Sequence, residues 1–342
     1  MNGEVKGLIV PEGYKSPLDL RDTVIAIKLI KDFFENRLAR ELNLVRVSAP
    51  LFVRPESGLN DNLNGVERPV VFDVKGIDGN TVEIVHSLAK WKRLALKRYG
   101  FDSQEGLYTD MNAIRRDEDL DNMHSVYVDQ WDWEKIILPE NRNLDYLKGT
   151  VMDIVGAVCD TQNTLLAIYP QLSSVGELSR EVSFITAQQL EDMYPALTPK
   201  ERENEYTKEH HTVFIIGIGA PLKSGRPHDG RAPDYDDWSL NGDLILWYGL
   251  LEKAVEMSSM GIRVDAVSLR QQVDDLGCTD RLALTYHRDL LAGKLPYTIG
   301  GGIGQSRLCM YFLQKAHIGE VQASAWPEGM INACREAEIF LL

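Results

Sequence analysis

Strand-like segments that follow one another directly constrain this chain most. Tyr108–Ile114 and Ser125–Glu134 read as two strands joined by the charged loop Arg115–His124, and Asp243–Trp247 and Val255–Ser259 read as two more. Residues 69–75 and 81–86 are β-branched runs separated by Ile77-Asp-Gly-Asn, a hairpin signal. Strands outnumber βαβ units, so the pattern predicts an α+β fold with an antiparallel sheet flanked by helices.

Helical periodicity supplies the flanks. Leu20, Val24, Ile27, Phe34 and Leu38 recur at helical steps behind Asp19, predicting a helix of about twenty residues. A second pattern covers 144–168, with Leu147, Val151, Ile154, Val158 and Leu165 on one side. Val45-Arg-Val-Ser-Ala-Pro-Leu reads as a strand ended by Pro50, 171–212 as charged and mostly helical, and Val213–Gly217 as a buried strand. Helices are expected at 265–276 and 307–316. Residues 219–241, rich in Gly, Pro and Asp, read as a long loop of the kind that is usually functional or disordered. With no internal repeat or linker, the 342 residues read as one domain over 1–342.

Charge narrows the partners. The 37 basic and 51 acidic side chains leave a net charge of −14, which argues against nucleic acid or an anionic membrane as a partner. Phosphate ligands stay open, because two or three well-placed cations suffice for them. Cys159, Cys278, Cys309 and Cys334 are widely spaced and fit reduced thiols in a cytosolic protein. The amino terminus has no signal-peptide pattern, and the longest apolar stretch, Val213–Leu222, is too short to span a bilayer. The expectation is a soluble, cytoplasmic protein.

Two constellations carry chemistry. Gly300–Gly304, followed by Gln305-Ser306-Arg307, is neither a Walker A loop nor a Rossmann fingerprint. It reads as a tight strand-to-helix turn, with a backbone close to a ligand about as well supported as a surface arginine on a plain turn. Arg115–His124 reads alone as a solvated charged turn, although an arginine and a glutamate at its base can grip a triphosphate and an adenine edge. The strand after it alters the balance: Gln130, Asp132 and Glu134 share one face and point to a lined cavity, with Trp131 and Trp133 on the core side.

Together these segments resemble motifs 2 and 3 of class II aminoacyl-tRNA synthetases. The aspartyl and asparaginyl enzymes are matched most closely, in Arg116-Asp-Glu-Asp-Leu120 and in Gln130-Trp-Asp132. A narrower resemblance, to ammonia-dependent asparagine synthetases, runs from about 60 to 330. It is carried by His86–Lys92, His124–Glu134, Arg231–Trp238, Leu240–Asp243, Glu256–Arg263 and the closing glycine motif. Between Trp238 and Leu240 this chain is shorter than the bacterial form.

The resemblance implies a class II synthetase-like catalytic core, normally a homodimer, that takes aspartate, ATP and ammonia to asparagine, AMP and pyrophosphate. The β-carboxylate would be activated as β-aspartyl-AMP, which ammonia then opens. On this reading Arg115 and Arg307 stabilise the phosphates, Glu118 reads adenine, Gly302 and Gly304 belong to the ATP site, and Asp243 and Glu256 hold Mg²⁺. Lys92 and Arg263 would meet the carboxylates of aspartate, with Ser87, Gln130, Asp132 and Ser259 as polar contacts. Asp61 or Asp236 would attract ammonium and remove its proton, although Asp61 reads nearly as well as a turn or cap residue. His86 and His124 read as structural, and the pair His210-His211 as exposed.

Two rivals make different demands. A tRNA ligase needs an anticodon-binding module, for which the helix starting near Asp19 leaves no room, and the net charge disfavours tRNA. A non-catalytic sensor paralogue predicts loss of Arg115, Arg307 or the acidic pair at 243 and 256, and all four are present. Glutamine-dependent asparagine synthetases use an N-terminal cysteine, whereas this chain begins Met1-Asn2 and has no cysteine before Cys159. Free ammonia is the expected donor.

Overall fold

Asp19 opens the first helix as its position predicts. Its carboxylate accepts the Asp22 N–H, and α1 (Leu20–Leu42) buries Phe34 and Leu38 of the expected stripe together with Ala26 and Ile30, leaving Leu20 and Val24 exposed, before Asn43, at φ 57°, ends it. The computed structural model describes residues 5–61, 63, 67–77, 81–175 and 178–342. The Ile77–Asn80 turn falls partly outside them, as do Asn62, Asn64 and Gly65 of the segment around Asp61.

Eight strands of the described chain form one sheet: β1 (Leu44–Arg46), β5 (Gly106–Ile114), β6 (Tyr127–Ile136), β11 (Thr298–Gly304), β10 (Lys253–Arg263), β9 (Asp236–Tyr248), β8 (Thr212–Ile216) and β7 (Ser183–Thr186), in that spatial order. The interior pairs are antiparallel, as expected. The two outer pairs, β1 with β5 and β7 with β8, are parallel, a detail that the expectation of an antiparallel sheet did not include. Both outer pairs are joined by long connections that contain helices, and these allow the chain to return in the same direction. Three further strands, β2 (Phe52–Val53), β3 (Val71–Asp73) and β4 (Thr81–Ile84), make a separate small sheet that contains the expected hairpin.

Helices α2 (Ala89–Arg98), α3 (Leu144–Ile168), α4 (Ala187–Met193), α5 (Pro199–His210), α6 (Ala266–Asp275), α7 (Thr285–Leu291), α8 (Gln305–Phe312) and α9 (Glu328–Glu336) complete the described α-helices. Trp131 and Trp133 are fully buried with Phe34 and the apolar side of α3, so the core takes one face of β6. Gln130, Asp132 and Glu134 are left for the other. All four cysteines are free, and no helix of the described residues is long and apolar enough to cross a membrane.

Several boundaries differ from expectation. Val45–Leu51 is not one strand: β1 stops at Arg46, and the chain enters the small sheet at Phe52, just after Pro50, whose nitrogen has no hydrogen to donate. β7 lies within the stretch read as helical. The long loop ends at Tyr235, because β9 begins at Asp236 rather than Asp243. The acidic residues that made 236–241 look like loop are buried on the strand instead, with Asp236 at 1 % and Asp237 at 6 % exposure.

The glycine run is the largest correction. It is a strand, β11, in the middle of the sheet rather than a turn, and α8 begins at Gln305. Gly300 pairs with Glu134 and Gly302 with Asp132. A Cβ on Gly300 would lie 2.0 Å from Glu134 Oε2, and one on Gly302 would lie 2.4 Å from Gln130 Oε1. Glycine here lets the long polar side chains of β6 lie across the neighbouring strand.

Candidate active site

A cavity of about 380 Å³ opens on the polar face of β6, β10 and β11. Its walls come from the β5–β6 loop, the segment around Asp61, the loop before β9 and the first turn of α8. Of the residues given a site role from the sequence, all but Asp243 line it. Glu134, on the same face of β6, is fully buried beside it.

One end is built from buried ion pairs. The Lys92 ammonium, 1 % exposed, donates to the Gly301 carbonyl at 2.8 Å and lies 2.9 Å from Asp132 Oδ2. Burial pulls Lys92 below its ordinary value, with Asp132 opposing. The other carboxylate oxygen of Asp132 is buried without a hydrogen-bond partner among the described residues. Arg263 donates through Nε and Nη2 to Glu134 at 3.0 and 2.7 Å, and through Nη1 to Asp236. Burial works to raise the Glu134 carboxyl, but Arg263 outweighs it and holds the group below its usual value. At Asp236 burial wins over Arg263 and Arg231, and the carboxyl is raised.

Asp61 is held differently. Its carboxylate accepts the Leu63 N–H at 2.9 Å and the Ser87 hydroxyl at 3.0 Å, both neutral donors. Asn60 Oδ1 accepts the N–H groups of Asp61 and His86, and His86 Nδ1 lies 3.1 Å from the Asp61 carbonyl. His86 is thus a structural partner, as expected, and the Ser87 hydroxyl is engaged by Asp61. His124 sits 2.9 Å from Asp121 within its loop, also a structural contact, and His210 and His211 are exposed.

The other end is cationic. Arg115 leaves the β5–β6 turn with Nη1 4.0 Å from Glu118 and with Nε buried and without a partner among the described residues. Arg307, in the first turn of α8, donates to the Glu256 carbonyl at 3.0 Å. The start of that helix is fixed by Asp129, which accepts the Ser306 hydroxyl at 2.8 Å and Gln322 Nε2 at 3.0 Å. Burial would raise the Glu256 carboxyl, yet Arg307, Lys200, Arg231 and Arg115 together lower it. Despite this field, the Glu256 carboxylate makes no hydrogen bond or direct ion pair among the described residues. Asp243 lies behind Arg231, whose Nη2 is 2.6 Å from its Oδ1, and burial raises its carboxyl against that pairing.

An open carboxylate beside a buried one is a hard oxygen donor set, so the pair fits a magnesium ion chemically. Two cations were not anticipated from sequence. Lys200 lies in α5, within the stretch read as charged and mostly helical, yet it lines the cavity, its ammonium 3.1 Å from Glu203 and 3.5 Å from Asp229. Burial opposes its charge, but Glu203 and Glu256 raise it above its ordinary value. Arg231 stands in a block that carried the resemblance without a role.

The family model for aspartate–ammonia ligase matches residues 21–338. The aspartate–ammonia ligase of Ruminiclostridium cellulolyticum is 63 % identical over 338 residues, covering 99 % of this chain and 100 % of that one. The one from Lactobacillus acidophilus is 62 % identical over 336 residues, covering 98 % and 99 %. Among solved structures, asparaginyl-tRNA synthetase from Entamoeba histolytica, in complex with asparaginyl-adenylate, superposes with a TM-score of 0.64 at 14 % identity. That match covers 89 % of this chain and 66 % of the synthetase. The Pyrococcus horikoshii enzyme with asparaginyl-adenylate gives 0.62 at 17 % identity, covering 90 % and 70 %. At these identities the likeness concerns the fold, which is the class II synthetase core.

Proposed function

Because the chain belongs to the aspartate–ammonia ligase family, ATP-dependent enzymes that make asparagine from aspartate and ammonia, we propose that this one cavity serves both halves of the reaction. The observation that carries the assignment is the meeting of a cation-lined end and an ion-paired end in a single cavity.

A carboxylate oxygen is too poor a leaving group for direct amidation at neutral pH. The β-carboxylate of aspartate therefore attacks the α-phosphorus of ATP, pyrophosphate leaves, and the acyl adenylate is opened by ammonia with release of AMP. Arg115 and Arg307, with Lys200, stabilise the charge that gathers on the phosphates, and Glu118 reads the adenine edge. Glu256, with Asp243 behind it, would hold Mg²⁺, which supplies further neutralisation of the phosphates when bound. Lys92 and Arg263 orient the carboxylates of aspartate, the unpartnered oxygen of Asp132 accepts its α-ammonium, and Gln130 and Ser259 add polar contacts. Gly304 lies at the ATP end beside Arg307, and Gly302 gives its space to Gln130 and Asp132 rather than to the nucleotide.

Of the two aspartates open for ammonia, we assign Asp61. Asp236 is committed to Arg263, whereas among the described residues the donors to the Asp61 carboxylate are the neutral Leu63 N–H and Ser87 hydroxyl, which leaves it to attract ammonium and take its proton. Asp61→Asn is expected to leave adenylate formation within about threefold and to slow asparagine release on the order of a hundredfold, with partial recovery at high pH where ammonia itself is abundant. Rapid quenching that counts adenylate and asparagine separately checks this. If both halves fall together, Asp61 belongs to adenylation.

The reading extends to the setting. We propose a single catalytic unit over 1–342 that acts in the cytoplasm, supported by the free cysteines, without a nucleic-acid partner, supported by the charge of −14. We further propose a homodimer, supported by the exposed Val24, Ile25 and Val45 on α1 and β1.

Incubation with ATP, Mg²⁺, aspartate and ¹⁵N-ammonium, without tRNA, tests the function. AMP and ¹⁵N-asparagine in equal amounts are expected by NMR and nucleotide analysis. AMP without asparagine would assign the activated carboxylate to another acceptor.

A further inference from the structure

We propose that Arg231 is the resident cation of the metal site: it caps Asp243 until metal and nucleotide arrive together, and then turns its charge onto the bound anions. The inference rests on the reading of Asp243 and Glu256 as the magnesium carboxylates.

The two carboxylates are unequally prepared. Glu256 lines the cavity and has no direct partner among the described residues, while Asp243 does not line it. Asp243 faces Ser259 across the β9–β10 pair, and the Arg231 guanidinium spans the two, with Nη2 2.6 Å from Asp243 and Nη1 2.5 Å from the Ser259 hydroxyl. Arg231 itself lines the cavity. It thus stands between the cavity and the second carboxylate.

The cap is tethered at its backbone and incompletely satisfied at its head. Asp229, two residues earlier, lies 3.5 Å from Lys200, and His228 Nε2 lies 3.0 Å from Glu203, so this end of the loop is fixed to α5. Arg231 Nε is buried without a partner among the described residues. A guanidinium held by two neutral or paired contacts, with a donor unused, has a position to which it can turn when an anion enters.

Electrostatics then links the ligands. A free divalent ion that takes Asp243 must leave a guanidinium, 12 % exposed in its side chain, without an anion. When ATP enters with the ion, its phosphates supply that anion, and the displaced charge is used again. Metal and nucleotide therefore bind with positive coupling, and linkage makes the effect reciprocal: the nucleotide tightens the metal as much as the metal tightens the nucleotide.

Manganese binding to the full chain, followed by electron paramagnetic resonance, tests this without turnover. The titration is run with and without α,β-methylene-ATP, against the analogue alone as baseline. The wild type is expected to bind free Mn²⁺ weakly and to tighten with the analogue. Arg231→Gln keeps polar contacts but removes the charge, and should bind free Mn²⁺ about tenfold more tightly, with the analogue's effect reduced by the same factor. Arg231→Lys, which keeps a cation, should stay near the wild type. Unchanged or weaker Mn²⁺ binding in a folded Arg231→Gln protein overturns the proposal and leaves Arg231 a structural brace. Glu256→Gln separates the underlying reading: if wild type and Glu256→Gln bind Mn²⁺ alike with the analogue present, the carboxylates are not the metal site, and both readings fall.

Discussion

Replacing Arg307 by lysine slows adenylate formation by about a hundredfold while the KM for aspartate stays within about threefold. The asymmetry follows from where the side chain sits. Arg307 lies in the first turn of α8, at the cationic end of the cavity, whereas the groups assigned to aspartate lie on β6, β10 and α2. One arm of its guanidinium is tied to the Glu256 carbonyl, which leaves the planar fork aimed rather than free to swing. Lysine keeps the charge but loses that tie and the second donor, so it reaches a phosphate without a fixed direction. The loss falls on the transition state, where charge gathers on the transferring α-phosphoryl group, and removal of one preorganised donor there typically costs about a hundred- to a thousandfold. Quench-flow measurement of pyrophosphate release, with aspartate varied, separates the two effects. An unchanged rate would remove Arg307 from the phosphate site, and an equal loss in both parameters would place it on aspartate.

Much of the frame was legible because local and global demands coincide. The α1 helix carries its own cap in Asp19, so its start agrees, but of the expected stripe only Phe34 and Leu38 are buried: Leu20 and Val24 face outward, and Ala26 and Ile30 face the core instead. In β6 the alternation of tryptophan with Gln130, Asp132 and Glu134 marks a strand with a core on one face and a cavity on the other, and both faces are where the alternation puts them. What escaped was set by neighbours distant in sequence. A glycine needed for a turn and one needed because Glu134 and Arg263 lie across it look the same in a sequence, so β11 read as a turn. Asp236 and Asp237 looked like loop because their counter-charges, Arg263 and Arg142, come from elsewhere in the chain. Lys200 looked like one charge among many on α5, and only the fold brings it to Glu256. The parallel outer strands depend on how long connections close, which periodicity does not encode.

The buried centre around Arg263 lets stability and binding be separated by substitution. Arg263→Met is expected to destabilise the fold by about 3–5 kcal/mol at pH 8 and to abolish measurable aspartate binding, because it leaves Glu134 and Asp236 buried together without their cation. The pH dependence carries the signature. In the wild type, Glu134 is held below its ordinary value, so its contribution is present above the carboxylate range and is lost as pH falls through it. In the variant the cation is gone, burial raises the same carboxyl, and the folded state gains protons relative to the unfolded one, so the stability gap between the two proteins narrows as pH falls. Adding Glu134→Gln to Arg263→Met removes one of the stranded charges and should return much of the lost stability without returning aspartate binding. Denaturant unfolding at pH 8 and pH 5, with calorimetric titration of aspartate, reads both quantities. A double variant that regains binding along with stability would mean that Arg263 holds the floor of the cavity together and does not itself meet the substrate. A single variant as stable as the wild type at pH 8 would mean that the two carboxylates find other partners, and that Arg263 is not what balances their charge.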